Sequence, residues 1–160
     1  MRSQSVTRVA GTLLLALLAG CSSAHPAPKP TATQPFIAFN ACLITDTTGL
    51  APGSPATQAW AGTQAATGPL HARAGYVTAD PGKADGAIGG LILKNCSLII
   101  SASTDGRFAP AVEAAAKAHP DQHFLIVGTA GPAANVRSLQ PGDDLQERVR
   151  QAVTESAAGS

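Results

Sequence analysis

"CSLIISASTDGRFAPAVEAAAKAHPDQHFLIV", residues 96–127, holds two apolar runs with one helical stripe between them. Ser97 to Ala102 reads as a buried strand, short, aliphatic and bounded by polar residues. Phe108, Ala111, Val112 and Ala115 then recur at helical spacing, and the pattern stops before Pro120, whose ring disfavours helical backbone ahead of it. His123 to Gly128 is a second buried strand. Strand, helix and strand in that order form a βαβ unit, with parallel strands and a right-handed crossover.

The alternation continues on both sides. Phe36 to Thr45 reads as the first strand. Ser54 is placed to cap a helix with Pro55 at its first position, and Ala56, Ala59, Trp60 and Thr63 follow at i, i+3, i+4, i+7 up to Gly68. A further strand is expected from Ala72 to Thr78. A helix over Asp85 to Lys94 is weakened by Gly86, Gly89 and Gly90. Val136 to Leu139 is a candidate fifth strand at an edge, and Leu145, Val149, Ala152 and Val153 stripe a last helix from Asp143 to about Glu155. The pattern predicts an α/β fold: one doubly wound lobe over residues 35–160, with a parallel sheet in the order 2-1-3-4.

The residues before this lobe have a different character. Arg2 and Arg8 lead into an apolar run from Val9 to Ala19 that is too short to span a bilayer as a finished helix. Residues 1–20 read as a signal peptide, ending in Leu18-Ala19-Gly20 before Cys21. That arrangement resembles a bacterial lipobox, which implies lipidation of Cys21, an anchor in the cell membrane and an extracytoplasmic lobe. An ordinary secretory peptide with an incidental cysteine is the alternative. Residues 21–34, rich in proline, read as a tether. The net charge of +1 over 160 residues gives no electrostatic case for nucleic acid.

In open parallel sheets, ligands bind beyond the carboxyl ends of the strands. Here those ends are Asp46 to Gly49, Ser103 to Gly106 and Gly128 to Gly131, all rich in Gly, Ser, Thr or Asp. The same composition also serves any tight turn. The motif Asp46-x-x-Gly49, Ser54, Ala59-Trp60-x-Gly62-x-Gln64 resembles the start of basic membrane protein (BMP) lipoproteins, substrate-binding proteins of ABC transporters, several of them for purine nucleosides. Residues 96–127 and "NVRSL", residues 135–139, are similar to later segments of that family. The resemblance implies a small-molecule ligand and an ABC permease as partner; with the strand-end argument, the candidate site residues are Asp46, Gly49, Ser54, Ser103 and Asp105, and no cofactor is expected.

Departures from the family pattern fall within its ligand loop. The family's stacking Phe corresponds to Pro55 and its Asn to Ala56, so the flat π-face that would hold a base is gone. Family members close two lobes over the ligand, whereas this chain is expected to supply one, leaving a ligand covered on one side only. The expectation is weak or degraded binding of a nucleoside-like molecule. Asp46 is then either a ligand group or a turn carboxylate. The alternative function is that of an interaction lipoprotein, which docks a partner, a second lobe or another copy through the exposed inter-lobe face.

With Cys21 acylated, Cys42 and Cys96 remain. The order 2-1-3-4 makes their strands neighbours, so they form a disulfide or stay as two buried thiols, and an extracytoplasmic setting favours the bond. His119 and His123 have i, i+4 spacing, but Pro120 breaks the helix between them, so no metal site is expected. Ser101, Ser103 and Asp105 lack a nucleophile-elbow motif, and Asp105 is expected to cap the next helix. No nucleophile, base and orienting group are arranged together, so the chain reads as non-enzymatic. Finally, the stripe on the last helix has no evident partner within a single lobe, and that helix is expected to be the least protected element outside the tether.

Overall fold

Neighbouring residues of each central strand point to opposite faces of the sheet, and both faces are apolar. Ala41 and Leu43 of the first strand face one core, and Cys42 and Ile44 face the other. Residues buried on both sides in this way require helices on both sides. The computed structural model describes residues 35–160; the expected signal peptide, Cys21 and the expected tether lie outside the described residues.

Five strands form one all-parallel sheet: β1 (Asn40–Thr45), β2 (Arg73–Thr78), β3 (Leu98–Ala102), β4 (His123–Val127) and β5 (Val136–Leu139). Their order is β2-β1-β3-β4-β5, so the expected order holds and the fifth strand takes the edge. Helices α1 (Pro55–Thr67) and α4 (Leu145–Ala158) cover one face, and α2 (Ala84–Leu93) and α3 (Ala109–Ala118) cover the other. β1 and β3 are adjacent but not consecutive, so the chain reverses its winding between them. This reversal point is where a ligand crevice is expected in such folds.

The first helix follows the sequence reading. Ser54 caps it, its hydroxyl accepting from the Thr57 N–H at 3.1 Å, and Pro55 opens it. α2 also forms, despite its three glycines. Ala84, Ile88 and Leu91 make a buried stripe, while a Cβ built on Gly86, Gly89 or Gly90 would meet only open space. The helix therefore bears the glycines' low propensity but loses no packing. Asn95 stops it in a left-handed conformation (φ 54°), with the Asn95 N–H donating to Ile92 and the Cys96 N–H to Leu91. This is a Schellman termination with Asn in glycine's usual place.

The expectation of an unpartnered last helix is corrected. Leu145, Val149, Ala152 and Val153 of α4 are all buried, within the same core as Ala59 and Ala66 of α1. Gly62 makes the contact possible, because a side chain there would overlap the Gln146 carbonyl oxygen and press on Val149. α4 is thus integral to the described fold, and its stripe packs on α1 and the sheet.

Cys42 and Cys96 form a disulfide, with Cα atoms 5.9 Å apart, that links β1 to the start of β3. Asn135 donates to the carbonyls of Ala116, His119 and Gln122, and so fixes the turn from α3 into β4. No helix among the described residues is long and apolar enough to cross a membrane.

Candidate functional site at the strand ends

At the carboxyl end of β1 the chain turns sharply. The Gly49 N–H donates to the Asp46 carbonyl at 2.9 Å, and Gly49 takes a left-handed φ of 62° that favours glycine. The Asp46 carboxylate folds back over this turn. One oxygen accepts from the Thr48 N–H at 3.0 Å and from the Thr48 hydroxyl. The other oxygen crosses to the loop after β3, accepting from the Thr104 N–H at 3.3 Å and the Thr104 hydroxyl at 3.5 Å. A single carboxylate therefore fastens the two loops that flank the reversal point.

Its electrostatics agree with that role. Partial burial pushes the Asp46 pKa up, but the hydrogen bonds from Thr48 and Thr104 outweigh it and hold the carboxyl below its ordinary value. The charged form is the bonded form. Asp105 does not cap α3, contrary to expectation. The helix begins at Ala109 behind Phe108 with no side-chain cap, and Asp105 instead accepts from Arg107 Nε at 2.7 Å. That bond, and the charge of Asp105, raise the Arg107 pKa, with a smaller contribution from Asp46. Arg107 wins the contest for Asp105 because it is two residues away on the same exposed turn.

The predicted site residues are thus gathered only in part. Asp46, Gly49, Ser103 and Asp105 lie in the two loops at the reversal point, with Ser103 buried between Ala102 and Thr104. Ser54 closes the first loop, but its hydroxyl is committed to the cap of α1. Sequence reasoning passed over Thr48, Thr104 and Arg107, the groups that satisfy Asp46 and Asp105. The Thr-rich neighbourhood of Asp46 was the available signal, since Thr two residues after Asp invites such a turn. The third loop is held separately, by Glu113 accepting from the Gly131 N–H at 2.6 Å.

A strand-end cleft of about 640 Å³, widely open, lies to one side of this arrangement, between Thr47, Thr78, Asp80, Lys83 and the start of α2. None of Asp46, Ser103 or Asp105 lines it. Among the described residues, no group of three or more His, Cys, Asp or Glu side chains is placed to hold a metal ion.

No protein-family model matches the chain, and no curated protein matches it in sequence. Its architecture is nevertheless similar to known structures. A "putative lipoprotein" fragment from Peptoclostridium difficile 630 superposes with a TM-score of 0.61 at 23% identity, covering 76% of this chain and 97% of that one. An ABC transporter solute-binding protein from Aeropyrum pernix K1 superposes with a TM-score of 0.55 at 17% identity, covering 62% of this chain. The match spans only 28% of the Aeropyrum chain. At these identities the likeness is one of fold: a single α/β lobe of a type found in solute-binding proteins.

Proposed function

We propose that this chain is a lipid-anchored, extracytoplasmic lobe related to BMP-type substrate-binding proteins, with weak or degraded small-molecule binding and no enzymatic activity. The anchor is the Cys21 lipid, on the extracytoplasmic side of the cell membrane. A purine nucleoside-like molecule is the ancestral ligand class, and a permease or a second lobe is the corresponding partner. The fold similarity to a solute-binding protein and the motif from Asp46 to Gln64 support the relationship.

One observation carries the reading of degraded binding: both oxygens of Asp46 are engaged by Thr48 and Thr104. A ligand hydroxyl competing for that carboxylate would have to break bonds that close the crevice. With Pro55 and Ala56 where a ring and an amide would serve, little remains to repay that cost. The docking alternative has no comparable support, because among the described residues none of the exposed large hydrophobics lies at the strand-end loops.

Calorimetry of residues 21–160, with Cys21→Ser to prevent coupling, tests this reading against adenosine, inosine and guanosine. The expected result is no saturable heat at micromolar nucleoside. Binding at micromolar affinity or tighter by a monomer overturns it.

A further inference from the structure

The two ends of the sheet differ in charge. Toward the carboxyl end every Lys or Arg among the described residues has an acidic partner: Lys83 with Asp80, Arg107 with Asp105, Arg148 with Asp144 and Arg150 with Glu147. Asp46, Asp85 and Glu113 add further negative charge on that side. At the amino end Arg73 begins β2, Lys94 follows α2 and Lys117 ends the last turn of α3, all exposed and, among the described residues, without an ion pair. Among the described residues Asp121 is the one unpaired acid there, since Glu155 is taken by Arg137.

Among the described residues, three of the four large exposed hydrophobics gather at the same end; the fourth, Tyr76, lies within β2 against Trp60. Leu93 is 84% exposed, Phe36 74% and Ile37 39%. Phe36 and Ile37 line one open cleft with Arg73 and Lys94, and Phe36 stacks edge-on against His71 at 5.9 Å. An aromatic and aliphatic rim beside unpaired cations is the composition of a surface that lies on anionic lipid. The chain outside the described residues leads to this end, because residue 34 joins directly to the rim. From Cys21 to Gln34 it has 14 residues, a reach of no more than about 50 Å even fully extended.

We infer that the amino end of the sheet is a membrane-seating surface, in which Phe36, Ile37 and Leu93 enter the lipid interface and Arg73 and Lys94 meet anionic headgroups. The carboxyl-end crevice then faces away from the bilayer, toward solvent. This rests on the proposed anchor at Cys21, which sets the lobe's distance from the bilayer.

The test separates seating from native lipidation. Cys42 and Cys96 are joined, so Cys21 is the remaining thiol of the three cysteines, and residues 21–160 can be coupled through it to a maleimide lipid. Amide exchange is compared on phosphatidylcholine vesicles with and without phosphatidylglycerol. Exchange of residues 36–39 and 93–95 should slow about fivefold or more on the anionic vesicles, and the loops at 46–49 and 104–107 should be unchanged. Arg73→Glu with Lys94→Glu should abolish the slowing while Ile99 and Ile126 keep their protection. Equal exchange on both vesicle types, slowing at the carboxyl-end loops instead, or slowing that survives the double charge reversal overturns the inference. The mass of the N-terminal peptide from the native host reads lipidation separately, so a missing native lipid removes the anchor and leaves the vesicle result standing.

Discussion

β1 and β3 are fastened to each other at both ends, by different chemistry. Near their amino ends the fastening is the Cys42–Cys96 disulfide, covalent and buried. At their carboxyl ends it is the Asp46 carboxylate, bonded to the loop at Thr104 and partly open to water. The disulfide uses no group that a ligand would want. The carboxylate fastening uses the very oxygens that strand-end chemistry would offer to a polar ligand. The bonds that hold the two loops together therefore also occupy those oxygens.

The largest expected effect is at the covalent end. Replacing Cys42 and Cys96 together by Ala should lower unfolding free energy by about 4 kcal/mol, from the freed loop of 54 residues' separation. Denaturant titration under oxidising conditions measures it; a loss below about 1 kcal/mol would mean that the hydrogen-bonded sheet alone fixes the two strands.

Next comes a control away from both fastenings. Gly62→Ala forces a methyl group onto the Gln146 carbonyl and should cost about 1–3 kcal/mol by pushing α4 from α1. Thr104 amide exchange should stay as it is, apart from the global loss of stability. A neutral substitution would show that α4 yields readily, and would restore the expectation of a loosely held last helix.

Asp46→Ala follows, at about 1–2 kcal/mol, because it removes the charge-assisted hydrogen bonds from Thr48 and Thr104, a range set low because both threonines are exposed and their donors can turn to water. The sign of its pH dependence is set by the lowered folded-state pKa. The carboxylate's contribution is full above the unfolded-state value of about 4 and is lost as pH falls through the lower folded value. Stability should therefore be flat in this term from pH 5 to 8 and decline only below about pH 4. Urea midpoints across that range check it, and a decline that persists in Asp46→Ala assigns the titration to another carboxyl. Smallest is Ser54→Ala, about 1 kcal/mol from loss of the α1 cap, with the Asp46 bonds unaffected.

The sheet was legible because its strands are unambiguous. Runs such as Leu98 to Ala102 and Phe124 to Val127 are buried on both faces, and their alternation with helical stripes dictates a parallel sheet. Helix propensity misled at α2, since propensity registers glycine but not what stands opposite it. Gly86, Gly89 and Gly90 face open space, whereas Gly62 is where two helices meet, and nothing local in the sequence tells these apart. The partner of α4 was hidden for the same reason. The site was less legible. Asp46 and Gly49 announced a turn, but the bond from Asp46 to Thr104 spans 58 residues, and only the adjacency of β1 and β3 brings them together. Asp105 looked like a helix cap by position, and Arg107 claimed it by proximity.

The claim that the crevice is closed on itself is tested most directly at the Thr104 amide. Its proton resonance, followed by NMR while adenosine or inosine is added to the monomeric chain, reports whether Asp46 lets go. The account predicts that Thr104 and Thr48 amide shifts and exchange rates stay unchanged up to millimolar nucleoside. Saturable movement of both resonances at micromolar nucleoside would contradict it, showing that the carboxylate exchanges its own loops for a ligand.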